Sequence, residues 1–151
     1  MTVATKADPM IDSVVIATDG SESVRRAVDV ALDLADRFDA AVHVLAVVDT
    51  PEIEGAPGEL RDDLRSALES RATEAVAEVR EKAARDVTTA VREGRPPVEI
   101  SNYVRERDVD VVAVGTRGRH GEHRFLLGSV AEAVVRTCPV PVLTVRQLDG
   151  N

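Results

Sequence analysis

Residues Val114 to Val130, VGTRGRHGEHRFLLGSV, gather four glycines, three arginines and two histidines around one acidic residue, Glu122, in a chain whose formal net charge is −8. These residue types suit an anion. Gly115 ends an apolar run, so no side chain blocks a ligand lying across that point. Gly118 lets the backbone turn with its N–H groups inward, free of a Cβ penalty. Gly128 and Ser129 open a helical pattern whose unpaired N–H groups and positive dipole end attract phosphate. Arg117, Arg119 and Arg124 supply counter-charge. The spacing Gly115-x2-Gly118-x9-Gly128-Ser129 is neither GxxxxGK[ST] nor GxGxxG, which excludes the two standard phosphate loops.

Each group also has a plainer reading. Glycine at a strand–helix junction is ordinary turn chemistry. Ser129 with Glu132 spells a capping box, S-x-x-E, which a helix start needs with or without a ligand. His120 and His123 flank Glu122, but a short cluster with no third ligand in view does not make a zinc site. His43 lies inside an apolar run and reads as a satisfied core residue. Cys138, beside Pro139, reads as a small buried hydrophobe.

The loop needs elements to hold it. SVVIATDGS (13–21) is a β-branched run ending in Asp-Gly, a buried strand meeting a turn. Val24, Ala27, Val28, Ala31, Leu32 and Ala35 form the stripe of an amphipathic helix. AAVHVLAVVD (40–49) is a second strand, and TPEIEGAPGE reads as a Pro/Gly loop. A long helix follows from Leu60 to Ala83, then a more polar third strand, DVTTAVREG. Pro96-Pro97 suits the start of a short helix whose apolar face is Ile100, Tyr103 and Val104. VDVVAVGT is a fourth strand, SVAEAVVRT a last helix, and VPVLTVR (140–146) a fifth strand. Strands alternate with helices, and strands one, two and four are apolar on both faces. That pattern calls for a doubly wound α/β domain with a parallel sheet covered on each side. Ligands of such sheets bind beyond the carboxyl ends of the strands, where strand order reverses. Asp19, Val47 to Asp49 and Gly115 to Gly118 stand at three such ends.

Composition narrows the class. The 151 residues fit one domain over 12–147, with loose tails at 1–11 and 148–151. Apolar residues make up 44% of the chain and aromatics 2%, so the core is aliphatic. No apolar run reaches the roughly 18 residues that span a bilayer, and the first residues carry no signal-like stretch. A single cysteine excludes an internal disulfide and fits a reducing cytoplasm. The 27 acidic residues outnumber the 19 basic ones, which disfavours nucleic acid as a partner. Lys6 and Lys82 are the only lysines; such an acidic, lysine-poor surface suits a salt-rich cytoplasm. A GC-rich genome would also replace Lys by Arg.

The glycine spacing, the run LLGSVAEAVVRTCPVPVLTV and the opening VVIATDGSESVRRAVDVALDLA resemble the universal stress protein family over residues 11–147. The resemblance implies a five-stranded, Rossmann-like parallel sheet in the order 3-2-1-4-5, a homodimer, and ATP binding, which accompanies this motif in the family. It puts Ala17, Thr18 and Asp19 around adenine and ribose, and Val47 along the adenine. Gly115 and Gly118 would follow ribose and phosphates, with Gly128, Ser129 and Val130 donating to the phosphates. A bridging Mg²⁺ or Mn²⁺ is implied, held mainly by phosphate and water. A role for Arg117, Arg119 or Arg124 rests on electrostatics alone. The dimer contact is expected through the apolar last strand, 140–146, which would otherwise be a bare edge.

Two other functions compete with a nucleotide-binding regulatory module. A nucleotidyltransferase of the related ATP-using α/β superfamily would carry HxGH after the first strand, where this chain has DGSES. A response-regulator-like phosphoacceptor would need an acidic pair there, and Asp19 is single. The regulatory module accounts best for the residues, with at most slow hydrolysis of ATP. Its protein partner is not legible.

Overall fold

The computed structural model describes residues 11–116 and 127–148. Arg117, Gly118, Arg119, His120, Glu122, His123 and Arg124 lie outside the described residues, as do the tails except Ile11 and Leu148. Ile11, partly buried, packs against the core.

Five strands form one sheet: β1 (Ser13–Ala17), β2 (Ala41–Asp49), β3 (Val87–Gly94), β4 (Val111–Gly115) and β5 (Val142–Val145). Every pairing is parallel and the order is β3-β2-β1-β4-β5. The helices between them are α1 (Arg25–Phe38), α2 (Thr50–Glu54), α3 (Arg61–Lys82), α4 (Pro96–Arg107) and α5 (Ser129–Thr137).

Alternation along the strands sorts the core into two layers. Val14, Ile16, Val42, Val44, Ala46 and Val48 face one side and meet Ala27, Ala31 and Leu32 of α1 and Leu68, Ala72 and Val76 of α3. Val15, Leu45, Val112 and Val114 face the other, under Ile100, Tyr103 and Val104 of α4 and Ala131 and Val134 of α5. Burying each Val or Leu contributes about 1.5–3 kcal/mol, which is how an almost wholly aliphatic core holds the sheet. The polar third strand is explained by its place at the edge of the sheet, where one side needs no apolar partner.

Two expectations are corrected. The segment 50–59 is not wholly loop, because Thr50–Glu54 forms α2. The Asp49 carboxylate caps this helix by accepting the Glu52 N–H, and Pro51 suits a first turn, where its missing N–H costs nothing. The fifth strand is shorter than 140–146: pairing runs from Val142, and Pro141 contributes only its carbonyl, to the Val112 N–H.

Candidate functional site

β1 sends the chain toward β2 and β3 on one side, and β4 and β5 lie on the other. Strand order therefore reverses between β1 and β4, and there a cavity of about 150 Å³ opens at the carboxyl ends of the strands. β1 and its following turn contribute Ala17, Thr18 and Asp19; β2 contributes Leu45, Val47 and Asp49; β4 contributes Val114, Gly115 and Thr116. Gly128, Ser129, Val130 and Ala131 close one side at the start of α5, and Pro96 and Ile100 of α4 close another. All the anticipated residues within the described part of the chain meet here. Sequence reasoning missed Val24, Leu45, Pro96, Ile100, Val114, Thr116 and Ala131 as lining residues; the signal available for Pro96 and Ile100 was their place at the mouth end of a helix over the sheet.

The β1 turn is locally determined. Thr18 is buried; its N–H donates to the Leu45 carbonyl at 2.9 Å and its Oγ1 accepts the Gly20 N–H at 3.1 Å. Asp19 Oδ1 accepts the Ser21 N–H at 2.9 Å, an Asx turn. Gly20 has φ +77°, and a Cβ there would sit 3.1 Å from the Ala75 Cβ of α3, so both backbone and packing demand glycine.

Val47 owes its importance to where β1 stops. Along a parallel strand, alternate residues turn N–H and C=O together to opposite neighbours. The Leu45 carbonyl serves β1, so the Val47 N–H and C=O point the same way, past the last paired residue of β1. Among the described residues no backbone bond from that side reaches them. A donor and an acceptor from one residue thus face the cavity side by side.

The opposite wall is a helix start. Gly128, not Ser129, is the N-cap of α5, which corrects the capping-box expectation. Ser129 is the first helical residue and is exposed, and Glu132 pairs with Arg136 at 2.9 Å instead. The first helical bond is Glu132 N–H to the Gly128 carbonyl. The N–H groups of Ser129, Val130 and Ala131 consequently lack helical acceptors, at the positive end of the dipole. The Gly128 N–H donates to the Thr116 carbonyl, tying the two ends of the segment 117–127 together at the mouth. Charged side chains on the described cavity wall are Asp19 and Asp49 alone.

α4 is fixed over the sheet by a polar cluster. Arg92 of β3 reaches Glu106 at 2.6 Å and Glu99 at 3.8 Å, and its guanidinium lies 4.9 Å from the Tyr103 ring centre. Arg107 stacks near the same ring at 5.2 Å. The Tyr103 hydroxyl and His43 Nδ1 are 2.7 Å apart, so His43 is the satisfied residue expected. Burial, then the nearby Arg107 charge, pushes the His43 pKa below its ordinary value. Burial pushes Tyr103 up. Cys138 is half-buried against the α4–α5 core layer. Among the described residues no group of three His, Cys, Asp or Glu could hold a metal, and no helix is long and apolar enough to cross a membrane.

The geometry agrees with what the chain is similar to. The universal stress protein MJ0531 of Methanocaldococcus jannaschii is 36% identical over 138 residues, covering 89% of this chain and 81% of that one. The solved structure of the protein MJ0577 superposes with TM-score 0.80 at 25% identity, over 94% of this chain and all of that one. A universal stress protein solved in complex with cAMP gives TM-score 0.66 at 25% identity, over 91% and 98%. The sequence profile of the Universal stress protein family matches residues 10–146, and the chain belongs to that family.

Proposed function

We propose that the chain is an ATP-binding regulatory protein whose nucleotide occupies the cavity between β1 and β4. The observation that carries this reading is the pairing of two open backbone features across one cavity. The Val47 N–H and C=O match the acceptor and donor on the edge of an adenine, and apolar side chains of Leu45, Val47, Pro96 and Ile100 flank the base position. The free N–H groups of Ser129, Val130 and Ala131 at the other wall take phosphate oxygens. Ala17, Thr18 and Asp19 lie between the two, where the ribose passes, and Gly115 leaves room for it. The relative that carries cAMP supports an adenine nucleotide as the ligand class.

Orientation follows from charge. Asp19 and Asp49 repel phosphate, so the phosphates lie toward α5; on the sequence reading, Gly118 and the counter-charges Arg117, Arg119 and Arg124 complete the phosphate site. Mg²⁺ or Mn²⁺ suits this site as a phosphate-held ion, because the described wall offers two separate carboxylates and no cage. The protein acts in the cytoplasm as a homodimer joined through its last strand, β5 (Val142–Val145), and responds to nucleotide occupancy by a change of partner or assembly. Native mass spectrometry of gently purified protein tests the reading, since it reports bound nucleotide and oligomer together. Gly118→Val should empty the site. A parent that neither retains nor takes up ATP, or a Gly118→Val variant that binds it equally well, would overturn the assignment.

A further inference from the structure

One cavity carboxylate has a fixed orientation and an unused face. Asp49 is half-buried, lines the cavity, and stands two residues beyond Val47 on the same face of β2. Its Oδ1 accepts the Glu52 N–H at 3.2 Å as the N-cap of α2, so a helix start holds the group in place. Among the described residues that is its one side-chain hydrogen bond, and no cation pairs with it. A half-buried carboxylate loses its water when a ligand covers it, which is costly unless a donor of that ligand reaches it. A carboxylate accepts and cannot donate. Whatever faces Oδ2 must therefore offer N–H or O–H.

The position in the sheet says which part of a ligand that is. Adjacent strands stand about 4.8 Å apart, so β2 lies two such spacings from β4 and further still from the phosphate-attracting start of α5. The part of a nucleotide that reaches Asp49 is the base. We propose that Asp49 sets base specificity, its free oxygen accepting the exocyclic amino group of a 6-aminopurine and excluding a 6-oxopurine. A 6-amino group carries two hydrogens, enough for both the Val47 carbonyl and Asp49 Oδ2. A 6-oxo group carries none and would set lone pairs against two acceptors. This inference rests on the cavity being an adenine-nucleotide site.

The test compares ATP with inosine triphosphate, which differs at the base edge, by calorimetric titration of the parent and two variants. Asp49→Asn keeps the shape and the helix cap, since Asn caps as well as Asp, but turns an amide donor toward the base. The parent should prefer ATP by about tenfold or more, and Asp49→Asn should shrink that preference by about tenfold, the size of one hydrogen bond to a charged group. Asp49→Ala should weaken ATP and, with one opposing acceptor gone, bind inosine triphosphate no worse than the parent does. Urea unfolding of each variant confirms that the domain is folded. If folded Asp49→Asn keeps the parent's ratio within about twofold, the inference fails and the nucleotide site stands. If the parent binds neither nucleotide, both readings fail.

Discussion

Replacing Gly128 with valine separates the fold from the ligand. Gly128 is buried, lines the cavity and caps α5 with φ −64° and ψ 159°. Those angles admit any residue, so the backbone need not move and its N–H can still meet the Thr116 carbonyl. The cost to the fold is then a poorer cap, about 1 kcal/mol, plus about 1–3 kcal/mol for seating a branched side chain in a packed place. A domain with a stability of about 5–15 kcal/mol survives that. Binding is hit harder. Three N–H groups, of Ser129, Val130 and Ala131, are left free by the helix, and each bond from such a donor to a charged oxygen is worth about 1.5–3 kcal/mol. If the valine holds the phosphates away from two of them, about 3–6 kcal/mol is lost, or roughly two to four decades in Kd. The assay is calorimetric titration with ATP and Mg²⁺, beside a urea unfolding curve on the same sample. A folded Gly128→Val that binds ATP within about threefold of the parent would refute the placement of the phosphates.

Three further outcomes are expected. Because His43 has its pKa lowered by burial and Arg107, the unfolded chain binds more protons below the ordinary value of 6.5, so stability is full above that pH and falls as the pH drops through it. The urea midpoint should decline from pH 7.5 to 5.5, less so in His43→Gln; equal slopes would show that His43 contributes nothing. ATP should turn over on the order of once per minute or less, against ~10 s⁻¹ for typical enzymes, since among the described residues the cavity's carboxylates are Asp19 and Asp49, which the proposed orientation sets toward ribose and base; several turnovers per second, lost in Gly128→Val, would make this an enzyme. Thr144→Lys in the half-buried edge strand β5 should move a sedimenting dimer toward monomer, and a parent that sediments as a monomer at micromolar concentration would remove the dimer.

The sequence spoke most clearly where a period had one cause. The stripe from Val24 to Ala35 and the β-branched runs at 13–17 and 41–49 each point to one element, because burial alone sets their spacing. The strand order came from resemblance, since no local pattern records which strands lie side by side. Thr50–Glu54 was hidden because Pro, Gly and Glu serve loops and helix starts alike, and only the Asp49 cap decides between them. Ser129 misled for a related reason: S-x-x-E names a cap, but buried Gly128 already holds that position and its carbonyl takes the first helical bond. Pro96 and Ile100 became cavity walls through the docking of α4, a contact between residues far apart in the chain. The open backbone of Val47 depends on β1 ending before β2 does, a difference in strand length that only pairing reveals.

The bond from the Gly128 N–H to the Thr116 carbonyl also bears on how this protein can change over evolutionary time. It pins both ends of residues 117–127 to the sheet edge independently of what lies between. Doubling the length of a segment closed in this way costs only about 0.6 kcal/mol of chain entropy, little beside a whole domain's stability. By this entropy term alone, insertions and deletions there are nearly invisible to selection for folding, and under the proposed nucleotide site they fall to selection for ligand. Descendants of one gene could trade such segments, acquiring tighter, weaker or salt-tuned phosphate recognition while β4, α5 and the rest of the sheet stay as they are.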